Sequence, residues 1–141
     1  MSYDLMVFEP NAAPRDRDEF IKWYWKQTEW SENHDYNDPV VSSPNLQVWF
    51  QEMMISFPPL NGKFATEDFE NSNVTDYSIG KNVIYAAFTW SVASGAYKKM
   101  KKLAIKHEVG FFDVSANNGA ILFPDDVKKS SWFTWLRNSA R

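Results

Sequence analysis

Apolar positions recur along this chain with two different periods, and the switches between them mark its elements. Tyr3, Leu5 and Val7 share one face of an extended segment, while Met6 and Phe8 lie on the other with Asp4. Both faces are largely apolar, which predicts a central strand over Tyr3–Phe8 covered on both sides. Glu9-Pro10-Asn11 ends it. Asp16 followed by Glu19 has the spacing of a capping box. Phe20, Trp23, Tyr24 and Trp30 then recur at helical spacing, predicting a helix from about Arg17 to about Trp30. Trp25 falls outside that stripe. Residues 31–41 are polar and turn-rich, hence a loop. Ser43 at N-cap and Pro44 at N1 start a second helix with Leu46, Trp49, Phe50, Met53 and Phe57 on its apolar face. Pro58-Pro59 stops it.

Leu60 to Thr75 has little periodicity and reads as a long connection, with Asn61-Gly62 as a tight turn that places Phe57 and Leu60 in the core. Asp76–Ile79 reads as a short strand, turned by Gly80-Lys81-Asn82 into a β-rich apolar run from Val83 to Trp90. Ser91 is then expected to cap a third helix, about Val92 to Glu108, with Ala96, Met100, Leu103, Ala104 and His107 inward and Lys98, Lys99, Lys101, Lys102 and Lys106 in solvent. Gly110 has the place of a C′ residue. Asn117-Asn118-Gly119 joins two short strands in a hairpin. Residues 131–136, with Trp132, Phe133 and Trp135, suggest a short terminal helix. The order predicts an α+β fold: a small mixed or mostly antiparallel sheet with about three helices packed on one face, a single-domain sandwich over residues 1–124 followed by a tail over 125–141.

Composition adds an aromatic surplus. Seven Trp, eleven Phe and six Tyr in 141 residues fill a core with few side chains and leave some rings for a contact surface. The chain has no cysteine, which excludes disulfides, thiolate catalysis and Cys-ligated zinc. The N-terminus has no basic region followed by an apolar run of signal-peptide length, and Val83–Trp90 is too short to span a membrane. A cytoplasmic protein with no membrane partner is expected.

Charge changes the picture more. Residues 29–76 hold nine carboxylates, Glu29, Glu32, Asp35, Asp38, Glu52, Glu67, Asp68, Glu70 and Asp76, and one base, Lys63. That segment carries −8, residues 1–28 carry −1 and residues 77–141 carry +6, giving the net −3. Such a dipole speaks to partners and association rates rather than to fold.

Catalytic motifs are weak by comparison. His34 lies beside Asp35 and Asp38, and Asn33, Asp35 and Asn37 alternate like the start of a calcium loop, but the later Gly and the terminal Glu of that loop are missing. No metal and no cofactor are expected. His107, in the last turn of the third helix, suits capping or packing. There is no Gly-rich phosphate loop, Gly-x-Ser-x-Gly or His-Glu-x-x-His. The lysine run of the third helix reads as a solvated face, and no nucleic acid is expected.

Four segments carry a resemblance: residues 2–8 (SYDLMVF), 57–62 (FPPLNG), 76–80 (DYSIG) and 110–114 (GFFDV). Over about Ser2 to Pro124 the chain resembles a group of small, single-domain bacterial cytosolic proteins of unassigned function. The resemblance implies an immunity protein paired with a polymorphic or contact-dependent toxin, and brings no catalytic residues. The expected contact surface is the 29–38 loop with the 64–76 loop. Glu32, Asp35, Asp38, Glu67, Asp68 and Glu70 would steer a basic toxin, and Trp30 and Tyr36 would anchor it. The competing expectation is a small enzyme or ligand-binding protein with an aromatic pocket and His34 as its polar edge. Trp132 and Trp135 either pack home or join two chains.

Overall fold

In the computed structural model, which describes residues 1–126, five strands and three longer helices follow the expected order. They are β1 (Tyr3–Phe8), α1 (Arg17–Gln27), α2 (Pro44–Ser56), β2 (Asp76–Ile79), β3 (Val83–Phe88), α3 (Ala93–Lys106), β4 (Gly110–Phe112) and β5 (Ile121–Leu122). The strands form one sheet in the order β2-β3-β1-β4-β5, every ladder antiparallel. This is the α+β fold expected. The terminal helix and the tail tryptophans lie outside the described residues.

The helices occupy both faces of the sheet, not one. Leu5 and Val7 of β1 join Ile84, Ala86 and Phe88 of β3 against α2 and α3. Met6 and Phe8 join Val83, Phe112 and Phe123 against Phe20 and Tyr24 of α1. The two-sided apolar pattern of β1 requires cover on each side, and α1 supplies the second. Over the first face, α2 covers the β2–β3 side, with Phe50 and Tyr77 ring centroids 5.1 Å apart. α3 covers the β1–β4 side, with Tyr97 5.2 Å from Phe111.

Several element ends differ from expectation for identifiable reasons. α1 closes at Gln27, and at the C-cap the Thr28 hydroxyl donates to the Tyr24 and Trp25 carbonyls of the last turn. Trp30 lies beyond the helix at φ 53°. Asp16 caps as expected, accepting from the Glu19 N–H at 3.1 Å. Ser43 holds the N-cap position of α2, but its hydroxyl makes no cap bond and is buried without a partner. Ser91 does not cap α3, which is entered through a 3-10 turn over Trp90–Val92. Gly110 is not the C′ residue of α3. Glu108 takes the left-handed conformation at φ 59°, and the Val109 N–H reaches back to the Ala104 carbonyl at 3.0 Å in a Schellman closure. Gly110 instead opens β4 under the Phe8 ring, where a Cβ would lie 2.2 Å from ring carbons. Gly62 does turn at φ 88°, and Phe57 is buried, but Leu60 is exposed.

Candidate functional site

The two loops expected to form a contact surface both reach β2, the 29–38 loop at its last residue and the 64–76 loop by running into its first. The Ile79 N–H donates to the Tyr36 carbonyl at 2.8 Å, and the Thr75 N–H donates to the Pro58 carbonyl at 2.9 Å. Loop backbone therefore takes up the outward N–H at the Ile79 end of this edge strand, one of the groups through which an edge pairs with another chain. The 29–38 loop touches the turn that precedes the second loop, where Gly62 packs against the Asn37 carbonyl and Lys63 Nζ lies 3.5 Å from Asp38 Oδ2.

Within the 29–38 loop most of the expected contact residues already have intramolecular partners. Glu32 Oε1 accepts from the Lys81 N–H at 3.0 Å and from His34 Nε2 at 2.8 Å. Gly80 packs so closely that a Cβ there would meet Glu32 Oε2 at 2.8 Å. His34 Nδ1 accepts the Tyr36 N–H at 3.2 Å, so the imidazole proton sits on Nε2 and points at Glu32. Asp35 and Asp38 accept from the N–H groups of Asn37 and Val40. Trp30 meets Tyr36 at 5.2 Å and Tyr85 at 6.0 Å edge to face, and His34 lies 4.2 Å from Tyr36. Tyr36 and Trp30 are both held at positive φ, at 63° and 53°. These contacts make the loop a clasp over the β2–β3 turn.

The 64–76 loop is different. Its backbone closes on itself and is tied to the rest of the fold by Asn73 Nδ2 donating to the Ser56 carbonyl and Thr89 Oγ1 donating to the Ser72 carbonyl. Glu67, Asp68 and Glu70 are exposed, and none enters an ion pair among the described residues. Phe69 stands between them 75% exposed, and Phe64 and Leu60 are also exposed. Beside this loop lies a hollow of about 460 Å³ lined by Leu60, Val74, Asp76 and Phe88.

Two features carried little sequence signal. A cleft of about 730 Å³ separates α1 from the β4–β5 hairpin, with Ile21, Tyr24, Phe112 and Val114 inside and Arg17, Lys22, Asn117 and Asn118 on its borders. Trp25, 63% exposed, lines it, which gives the out-of-phase tryptophan a place. His34 does not line this cleft. Behind it, the Tyr85 hydroxyl donates to Asp4 Oδ2. Burial, and then the Asp4 carboxylate, push the Tyr85 hydroxyl far above the ordinary tyrosine range, and burial raises Tyr24. The β1–β3 register pairs Asp4 with Ala87 and Tyr85 with Met6, so Asp4 and Tyr85 meet as diagonal neighbours across 81 positions. A lone Asp in an apolar strand was the available hint.

His107 ends α3 with Nε2 3.0 Å from Glu52 Oε1, which also accepts from Lys106 at 2.8 Å. Those two partners hold the Glu52 carboxyl below its ordinary pKa. This pinning of α2 to α3 fits the packing role expected of His107. Among the described residues no helix is long and apolar enough to cross a membrane. Comparison with protein-family models, with curated proteins and with solved structures found no match.

Proposed function

We propose that this protein binds a basic protein partner through the surface along β2, and that the partner is a toxin which it neutralises as an immunity protein. The observation that carries the reading is the 64–76 loop. Three exposed carboxylates that enter no ion pair among the described residues flank an aromatic ring exposed to solvent, on a loop whose Val74 and Asp76 line an apolar hollow. Carboxylates steer a basic surface into contact, and a buried aromatic anchor supplies affinity. The 29–38 loop contributes shape, since Glu32, Trp30 and Tyr36 are held within the clasp. Asp35 and Asp38 add negative charge at its rim. A nuclease is one partner that fits, because a surface built to attract phosphates is complementary to this one.

Co-expression with the product of the neighbouring gene tests the reading. The expected result is a co-purifying complex and rescue of growth, both lost when Glu67, Asp68 and Glu70 are replaced by Lys. A toxic neighbour that neither binds nor is neutralised overturns it.

The cleft beside Trp25 favours a second reading, a small-ligand-binding protein, since its size suits a small molecule. In that case Trp25→Ala abolishes ligand binding and leaves partner neutralisation intact.

A further inference from the structure

Lys98, Lys101 and Lys102 project from the side of α3 that faces away from the sheet, and none of them enters an ion pair among the described residues. Tyr97 and the exposed Ile105 lie between them, and the five side chains line a shallow groove of about 370 Å³. Lys101 Nζ sits 5.9 Å from the Tyr97 ring centroid. This face is amphipathic: apolar contact area along its middle, positive charge on its borders.

The opposite arrangement occurs on the same molecule. The hollow formed by Leu60, Val74 and Phe88 has Asp76 on its border, and Val74 and Asp76 belong to the same loop that carries the exposed acids Glu67, Asp68 and Glu70. The two surfaces do not face each other within one chain. The loop borders β2, at one edge of the sheet, while Tyr97 of α3 packs on Phe111 of β4, toward the other. Complementary surfaces on different sides of a molecule cannot satisfy each other internally. They match between copies, and the contact is heterologous, so each addition leaves both a free basic face and a free acidic face.

We infer that the basic face of α3 docks on the Leu60–Asp76 surface of a second copy of this chain, giving weak, salt-sensitive, head-to-tail self-association. The inference rests on the proposed function only in sharing the acidic surface. Self-association then competes with partner binding: a more basic partner displaces the neighbouring copy. A second copy is favoured over nucleic acid because it matches the apolar middle of the α3 face as well as its charge.

Sedimentation velocity of the full chain at about 20 mM and about 500 mM salt, where the screening length shortens several-fold, tests this. The expected result is a sedimentation coefficient that rises with protein concentration at low salt and returns to the monomer value at high salt. Replacing Lys98, Lys101 and Lys102 by Glu abolishes the rise, and so does replacing Glu67, Asp68 and Glu70 by Lys. Mixing the two triple variants restores association, because each then presents the charge the other lacks. Circular dichroism verifies that both variants are folded. The lysine variant keeps binding to the basic partner, so loss of self-association and loss of partner recognition are read separately. A wild-type chain that stays monomeric at low salt overturns the inference. So does association that survives the lysine reversal, or a mixture that stays monomeric. Tight binding of single-stranded oligonucleotide or of anionic vesicles by a monomeric wild type, lost in the lysine variant, would assign the α3 face to that ligand instead.

Discussion

Glu32 and Glu67 look alike in the sequence, acids in polar and turn-rich segments, yet they have different work in the fold. Glu32 accepts a backbone N–H from Lys81 and the imidazole N–H of His34. Glu67 is exposed with no ion pair among the described residues. Removing the acceptor of the part-buried His34 N–H costs about 1–2 kcal/mol, whereas surface substitutions away from such features stay within about 0.5 kcal/mol. Glu32→Ala should therefore lower the urea midpoint measurably, and Glu67→Ala should leave it unchanged while weakening partner binding. Equal destabilisation by both would mean that Glu67 has an internal role. Eighteen acids were visible in the sequence, but which were engaged was not. A carboxylate gains a partner through contacts such as Glu32 with Lys81, 49 positions apart, and local spacing does not encode them.

At the scale of elements, glycines separate what the helix period tells from what packing tells. Gly95 lies in the first turn of α3, and an added Cβ there meets nothing within 4 Å. Gly95→Ala should stabilise the protein by about 0.5–1 kcal/mol through helix propensity. Gly110→Ala forces a Cβ into the Phe8 ring, which is fully buried between Phe20, Trp23 and Phe123. That ring cannot retreat, so the expected loss is about 3 kcal/mol. Thermal denaturation of the two variants measures both signs, and a Gly110→Ala protein of wild-type stability would show that Phe8 can repack. The same contrast explains the helix ends. Stripes of Leu46, Trp49, Phe50 and Met53, or of Ala96, Met100 and Leu103, were legible because burial repeats with the helical period. The closure at Glu108 was not, because Gly110 was needed elsewhere. Its missing Cβ makes room for a residue more than 100 positions earlier, not for a left-handed helix end.

For the whole molecule, the buried Tyr77 and the part-buried Tyr3 and Tyr85 should make stability fall at alkaline pH. Burial raises Tyr77 and Tyr85 far above the ordinary range, and burial with the nearby Asp113 charge pushes Tyr3 up to about 12. The unfolded chain releases these protons from about pH 10, while the native protein keeps them. Stability is therefore intact below that pH and is lost as the pH rises from there toward the native values. Tyrosinate absorbance and circular dichroism followed together should show ionisation coinciding with unfolding. Tyr77→Phe should shift the transition to higher pH. The hydroxyl's bond to the Phe57 carbonyl is lost in that variant, so its neutral-pH stability falls slightly. Tyrosinate forming in a protein that stays folded would mean that the rings reach solvent in the native state.

By itself the sequence determined the elements, their order and the α+β class, because periodicity is a local property and each strand and helix must bury its own apolar face. It also determined the charge asymmetry, which the order of acids and bases along the chain contains. Only the tertiary structure decided that α1 covers the opposite face of the sheet from α2 and α3. The same holds for the division between the bonded 29–38 clasp and the exposed acids of the 64–76 loop, and for the meeting of Asp4 with Tyr85. Each of these depends on strand order and register, which join residues far apart in the chain, and pairwise contacts at that separation leave no period to read.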